Sequence, residues 1–343
     1  MTHRKAISVA DVLLAVAVAA ALVVGVVMAL RMDVFGDRPE SPPGADPAAE
    51  EPVPAEIDPA LIEYRPAGSI DVPLAEVRGL AVGPDDSIYV AGDRAIVVFD
   101  AEGRKRRKID VEHEPHCLAV AGGDAASPGT IYSAARDRVV KLAPDGGVAG
   151  RWAGLGEQAL ITSIAVSGDD VFVADAGNKI VLRYDASGNL VGRIGGRDPK
   201  RNVPGFAITS QNFDLAVSPD GLLRVVNPRR LRIEAYTFDG YLEAHFGRGG
   251  TGVEAFFGCC NPAHFAVFDD GRFVTAEKGA ARVKVYTAEG EFDCVVAGPE
   301  QLSLRNTHAI ADLAVGRRGR VLVLDLADRK VRIFEPADDE GAN

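Results

Sequence analysis

The sequence predicts an all-β, six-bladed β-propeller of four-stranded antiparallel blades, preceded by a single transmembrane helix and a disordered linker. Two observations predict the propeller: a hydrophobic-Ala-Val core recurs six times, and further short strand-like runs follow each copy. A third observation, an uncharged apolar run near the N-terminus, predicts the helix. The predicted parts are a cytoplasmic N-terminus (1–11), a signal-anchor helix (12–30), a linker (31–63), the propeller (64–336) and an acidic tail (337–343).

The composition is that of a globular protein rich in strands and turns. Hydrophobic residues make up 47% of the 343 residues and charged residues 25%, so a sizeable core is available. The chain has 37 glycines but only three methionines and one tryptophan. Its formal net charge of −11 argues against a nucleic-acid partner, because phosphate binding requires a concentrated basic surface.

The apolar run Val12–Leu30 contains nineteen residues without a charge. As a helix it spans roughly 28 Å, close to the thickness of a bilayer's hydrocarbon core. Arg4 and Lys5 precede it and a net acidic stretch follows, which predicts a cytoplasmic N-terminus. The propeller is then extracytoplasmic, in a periplasm or at a cell surface. A cleaved signal peptide is the alternative, but its apolar region is usually ~7–15 residues long.

The segment from Arg31 to Glu63 has a composition typical of a spacer. It contains seven prolines and nine acidic residues against two arginines. Proline removes backbone donors and like charges repel, so the sequence predicts an extended, disordered linker between membrane and propeller.

The repeated core marks the innermost strand of each predicted blade. Successive copies are 38, 46, 51, 50 and 48 residues apart, and a small Ala suits the crowded centre of a ring. The sixth repeat ends after three strands, so 67–72 is predicted to supply its outer strand and close the ring. The six copies are Leu80-Ala81-Val82, Leu118-Ala119-Val120, Ile164-Ala165-Val166, Leu215-Ala216-Val217, Phe265-Ala266-Val267 and Leu313-Ala314-Val315.

Residues 64–336 resemble the NHL-repeat family of propellers. The resemblance is carried by Phe246-Gly247-Arg248-Gly249-Gly250, Asn261-Pro262-Ala263-His264-Phe265-Ala266-Val267, Val173-Ala174-Asp175 and Arg282-Val283-Lys284-Val285-Tyr286. Repeat two departs from the pattern, since 122–129 is irregular and its terminal Asp is absent. The resemblance implies a binding or scaffold role. Related six-bladed propellers also include metal-dependent lyases and lactonases that hold a cation with channel carboxylates, Asn or His.

The position just before each repeated core is predicted to line the central channel near its mouth, because side chains alternate along a strand. Carboxylate, imidazole and thiol groups there can bind a metal or transfer protons. The specific prediction is a divalent metal held by Asp214, His264 and Asp312. The alternative is a water-filled channel that merely tolerates polar residues. The residues at this position are Gly79, Cys117, Ser163, Asp214, His264 and Asp312.

Three long connections enter inner strands on one face of the predicted ring: 195–212, 247–263 and 298–311. Long loops grouped on a rigid scaffold are typical of a binding surface, so this face is predicted to take a protein or a small ligand.

Four cysteines raise a separate question of redox state. Cys259 and Cys260 are adjacent, and such a pair can form a vicinal disulfide or bind a soft metal. The favoured prediction for an extracytoplasmic domain is a structural disulfide that involves Cys294 or Cys117. Redox chemistry at the adjacent pair is the alternative.

Together these features predict a membrane-tethered, extracytoplasmic propeller that acts as a binding or scaffold module, with a non-enzymatic role favoured over catalysis. One alternative is a metal-dependent lyase or hydrolase that uses the channel mouth. Another is an accessory subunit of an extracytoplasmic redox assembly.

Overall fold

A computed structural model describes residues 52–302 and 310–337. Six four-stranded antiparallel sheets form the blades, which confirms the predicted all-β, six-bladed propeller. The predicted anchor (12–30), most of the predicted linker and nearly all of the acidic tail lie outside the described residues. Within the described ranges, no helix is both long enough and apolar enough to cross a membrane.

The strands follow one another in chain order from the inner to the outer edge of each blade. Blades one to three comprise β2 (Gly79–Val82), β3 (Ile88–Gly92), β4 (Ala95–Phe99), β5 (Lys105–Asp110), β6 (Cys117–Val120), β7 (Ile131–Ala134), β8 (Val139–Leu142), β9 (Val148–Arg151), β10 (Ile161–Ser167), β11 (Asp170–Asp175), β12 (Ile180–Asp185) and β13 (Leu190–Ile194). Blades four and five comprise β14 (Leu215–Val217), β15 (Leu223–Asn227), β16 (Arg232–Tyr236), β17 (Leu242–Phe246), β18 (His264–Val267), β19 (Phe273–Glu277), β20 (Arg282–Tyr286) and β21 (Phe292–Ala297).

Blade six joins the two ends of the propeller. It comprises β22 (Ile310–Val315), β23 (Val321–Asp325), β24 (Lys330–Pro336) and, as its outer strand, β1 (Tyr64–Asp71). β1 pairs antiparallel with β24 in the register Ile70 to Val331, which confirms the predicted ring closure. Among the described residues, the helical elements are one short α-helix, α1 (Pro299–Leu302), and 3-10 turns at Pro59–Leu61, Pro199–Arg201, Pro228–Arg230 and Arg317–Gly319.

The core lies between neighbouring blades. Every residue of β3 and β4 is buried, because both faces of these strands contact another blade. Leu118 of blade two packs with Tyr89 and Ile96 of blade one. Each of the other blade junctions likewise has a hydrophobic cluster with residues from both blades. The outer strand β5 is mostly exposed and carries a basic run, as expected of a sheet edge that avoids pairing.

Polar residues at the end of the second strand hold the loops that lead into the channel. The carboxylate of Asp175 accepts the backbone N–H of Leu160 at 2.9 Å, and that of Glu277 accepts the N–H of Phe257 at 2.7 Å. Asp175 and Glu277 are fully buried, so these bonds satisfy loop amides that would otherwise lack partners. The corresponding position in blade two is Ala135, at the repeat that the sequence marks as irregular.

Residues 52–63 differ from the prediction of a disordered linker. Ala55 donates its N–H to the carbonyl of Thr251 at 2.8 Å, and Glu63 donates to Val295 at 3.1 Å. Ile62 forms a parallel bridge with Val295 at the outer strand of blade five. This part of the predicted linker is therefore ordered against the propeller, because these backbone groups find partners on it.

Candidate functional site

The predicted channel residues meet in one cavity on the propeller axis. Its volume is about 210 Å³, and polar side chains from five consecutive blades line it. Gly79 occupies the sixth equivalent position and contributes no side chain. The five polar residues are Cys117, Ser163, Asp214, His264 and Asp312.

Asp312 and Asp214 each connect two neighbouring inner strands. One oxygen of Asp312 accepts the N–H of Leu313 at 2.8 Å, and the other accepts the N–H of Leu80 in blade one at 2.7 Å. Asp214 likewise accepts the N–H of Leu215 at 2.8 Å and that of Phe265 in blade five at 3.0 Å. Each carboxylate oxygen accepts one amide and keeps a lone pair for a further partner.

His264 lies between these two carboxylates. Its Nδ1 is 3.6 Å from Oδ1 of Asp312 and 3.9 Å from Oδ2 of Asp214, which is too far for a hydrogen bond. The side chains of Asp214, His264 and Asp312 are 13%, 23% and 20% exposed. One donor atom from each residue lies within 4.8 Å of the others, which is compatible with a shared cation.

The electrostatics of this group favour a positive charge between the carboxylates. Burial and the nearby charge of Asp214 raise the pKa of Asp312 well above its usual value. Burial also raises the pKa of Asp214, although His264 and hydrogen bonds oppose the shift. Burial lowers the pKa of His264, aided by Lys278 and opposed by Asp214. A bound cation would offset the mutual repulsion of the carboxylates, and the donor set suits one.

Cys117 faces the same cavity from the opposite side of the ring. Burial, together with the charges of Asp312 and Asp214, raises the pKa of its thiol well above the usual value. It is therefore a neutral thiol at physiological pH, and its Sγ is not among the three clustered donor atoms.

A wider vestibule of about 470 Å³ adjoins this cavity and shares several lining residues with it. Arg78, His116 and Thr162 line it, one residue before the predicted channel position in blades one to three. Arg78 pairs with Glu76 at 2.8 Å, yet its Nε is buried and has no acceptor among the described residues. The sequence analysis considered only the residue just before each repeated core. Including the residue before that one in the comparison of repeats would have identified these vestibule residues.

Two of the three predicted loops contact each other beside the site. The side-chain amide of Asn212 donates to the carbonyl of Cys260 at 3.3 Å, joining the loops that precede blades four and five. Gln211 and Asn212 also line the vestibule. In the third loop, residues 303–309 lie outside the described residues.

The structure differs from the prediction of a structural disulfide. All four cysteines are free thiols, and Cys117 and Cys294 lie in different core clusters. Cys294 belongs to the same core cluster as Tyr64 and Leu302 of α1. Cys259 and Cys260 lie on the loop before blade five, with their sulfurs 3.4 Å apart.

Comparisons with known proteins support the fold and leave the activity open. No model of a known protein family matches the chain, and neither does any curated protein. Among solved structures, the chain is similar to a streptogramin B lyase with a TM-score of 0.56 and 13% identity. The match covers 81% of this chain and 100% of the lyase chain. At that identity the similarity shows the propeller fold alone.

Proposed function

We propose that this chain is an NHL-type binding propeller that takes a small ligand at its channel mouth through a divalent cation. The observation that carries the proposal is the group of Asp214, His264 and Asp312, whose donor atoms lie within 4.8 Å of one another in an open cavity. Two carboxylates and one imidazole leave coordination positions of a divalent cation for a ligand.

The vestibule indicates the chemical class of that ligand. Its volume of about 470 Å³ lies within the usual range for small-molecule sites. Arg78 lines both the cavity and the vestibule, and its partly exposed guanidinium supplies positive charge and N–H donors there. A small carboxylate-bearing molecule satisfies both groups, with one oxygen on the cation and another on Arg78.

The N-terminal run Val12–Leu30 supports a location for this binding function. We propose that it anchors the chain with the N-terminus in the cytoplasm and the propeller outside, in the periplasm or at the cell surface. Fractionation of expressing cells tests this: the full chain should sediment with membranes and a chain without residues 1–30 should not. Soluble full-length chain would overturn the anchor without affecting the ligand site.

A second candidate is lyase or hydrolase chemistry at the same site. It is favoured by His264, which lies beside two carboxylates at the base of an open vestibule, where a cation-bound substrate would meet a base. One similar solved structure is that of a streptogramin B lyase, which adds an analogy of fold.

Calorimetric titration of the chelator-treated protein with Mg²⁺ and with Ca²⁺ tests the cation site. We expect one cation per chain, and His264→Ala should weaken binding by at least about tenfold. The matched control is His245→Ala, which changes an exposed histidine on outer strand β17 and should bind like wild type. The proposal fails if neither cation binds, or if both variants bind equally well.

Carboxylate-bearing compounds added to the cation-loaded protein separate the two candidates. Unchanged compound recovered from a stable complex supports binding. Product formation supports catalysis, and its loss in His264→Ala at a cation concentration that saturates the variant assigns the base to His264.

A further inference from the structure

The adjacent thiols of Cys259 and Cys260 form a second chemical site, separate from the cation group. Their sulfurs are 3.4 Å apart. Cys259 is exposed to solvent, whereas Cys260 is buried with 6% of its surface accessible. The thiol of Cys259 is therefore accessible to a reagent in solution, and the buried thiol of Cys260 lies next to it.

The loop around the two thiols is fixed by hydrogen bonds. The side-chain amide of Asn261 donates to the carbonyls of Phe257 and Lys278, and its oxygen accepts the N–H of Lys278 at 3.0 Å. On the other side, Asn212 donates to the carbonyl of Cys260. Because the backbone is held on both sides, the two sulfurs stay within reach of each other instead of sampling many separations.

The surroundings of Cys260 favour its thiolate. Burial opposes ionisation, but hydrogen bonds from Thr209 and Cys259 and the positive charge of Lys278 outweigh it, so the pKa of Cys260 lies below its usual value. Thr209 Oγ1 lies 3.4 Å from the sulfur. The pKa of Cys259 is raised, first because its S–H is hydrogen-bonded to Cys260. The hydrogen bond between the two sulfurs therefore favours the thiol on Cys259 and the thiolate on Cys260.

The other two cysteines differ from this pair. Burial raises the pKa of Cys294 to about 12 and that of Cys117 well above its usual value. Both side chains are buried in the core. Neutral, enclosed thiols react slowly with disulfides and peroxides, so they serve as internal controls in the same molecule.

We propose that Cys259 and Cys260 form a reactive dithiol that exchanges with small disulfides and closes to a vicinal disulfide. The thiolate of Cys260 first accepts the S–H proton of Cys259, across the 3.4 Å between the sulfurs. The exposed sulfur of Cys259 then attacks the small disulfide, which forms a mixed disulfide and releases one thiolate, and that thiolate takes the proton back from Cys260. Cys260 then attacks the sulfur of Cys259 and releases the second thiolate. Two electrons pass from the dithiol to the small disulfide, which leaves as two thiols.

Closure brings the two sulfurs to bonding distance. A disulfide bond is about 2.05 Å long, so the sulfurs must approach by about 1.4 Å. The product lies partly exposed on a surface loop, where disulfides are readily reduced. The site is therefore reversible, and this proposal does not depend on a cation in the channel.

The test incubates the reduced protein with glutathione disulfide, followed by acid quenching, unfolding, alkylation and mass spectrometry of the peptides. In wild type we expect the Cys259–Cys260 peptide to lose two hydrogens and resist alkylation. Cys117 and Cys294 should remain fully alkylated, which also shows that the fold stayed intact during the reaction. Added dithiothreitol should restore both thiols.

Two variants test the assigned roles. Cys260→Ser should stop at a stable glutathione adduct on Cys259, because no second thiol resolves it. Thr209→Val should slow closure about fivefold, the effect of one lost neutral hydrogen bond. A wild-type protein that accumulates the adduct without closing would overturn the proposal. Modification of Cys117 or Cys294 as fast as the pair would do the same.

Discussion

Asp312 and Leu80 lie 232 residues apart in the chain, yet the carboxylate of Asp312 accepts the backbone N–H of Leu80 at 2.7 Å. This bond joins the innermost strand of blade six to that of blade one. Asp214 makes the equivalent bond to Phe265 between blades four and five. Two of the three candidate cation ligands therefore also hold the ring together, so binding and stability are linked at the channel.

Asp312→Ala should lower the free energy of unfolding by roughly 1–3 kcal/mol, because two inner-strand amides lose their acceptor. Asp312→Asn should cost less, since the amide oxygen still accepts a hydrogen bond. The measurement is urea unfolding followed by circular dichroism. Asp145→Ala, at an exposed turn where the carboxylate accepts only the N–H of Gly147, is the control and should change stability by less than about 0.5 kcal/mol. Equal losses at positions 312 and 145 would contradict the role of Asp312.

Gly177→Ala should destabilise the propeller by at least about 1–3 kcal/mol. A Cβ at Gly177 would lie 1.8 Å from the carbonyl oxygen of Gln158, and backbone cannot move aside as a flexible side chain can. Gly123→Ala is the matched control, because its Cβ would meet nothing within 4 Å. Thermal unfolding of the two variants checks the prediction, and similar melting temperatures would count against it.

Lys284 gives the stability of the protein a specific pH dependence. Its side chain is fully buried, 2.6 Å from Glu277, and burial lowers its pKa from 10.5 to about 8 although Glu277 opposes the shift. Below about pH 8 the lysine is protonated in both folded and unfolded chains. Between about pH 8 and 10.5 only the unfolded chain keeps the proton, so the free energy of unfolding rises with pH by about 3 kcal/mol from this group.

Lys284→Met provides the reference for that prediction, because it removes the titrating group and leaves the other ionisable residues in place. Between pH 7.5 and 10.5, the unfolding free energy of wild type minus that of the variant should increase by about 3 kcal/mol. Denaturant unfolding at several pH values measures it. Parallel pH profiles of the two proteins would refute the assignment.

Much of the fold could be predicted from the sequence because the propeller repeats one local pattern. The Ala in each inner strand indicated crowding at the axis, and the short sixth repeat indicated that 67–72 closes the ring. Side chains alternate between the two faces of a strand, so the residue just before each hydrophobic-Ala-Val core was predicted to line the channel. Asp214, His264 and Asp312 are among these residues.

The remaining features depend on contacts between distant residues, which periodicity does not report. Residues 52–63 have a composition typical of disorder, yet Glu63 and Ile62 pair with Val295 on blade five. The sequence also showed no sign that Asp312 bonds to Leu80, because that contact follows from how the blades meet around the ring. The free state of Cys294 likewise reflects its place in a core cluster that contains no other cysteine.

The pairing of β1 with β24 has a consequence for synthesis on the ribosome. Blades one to five each consist of strands that are consecutive in the nascent chain, so each can form as it emerges. β1 is made before all of them, but its partner β24 follows all of them in the chain. Its edge stays unpaired throughout, so a chain that terminates before Val331 would keep an open strand and should be prone to aggregation.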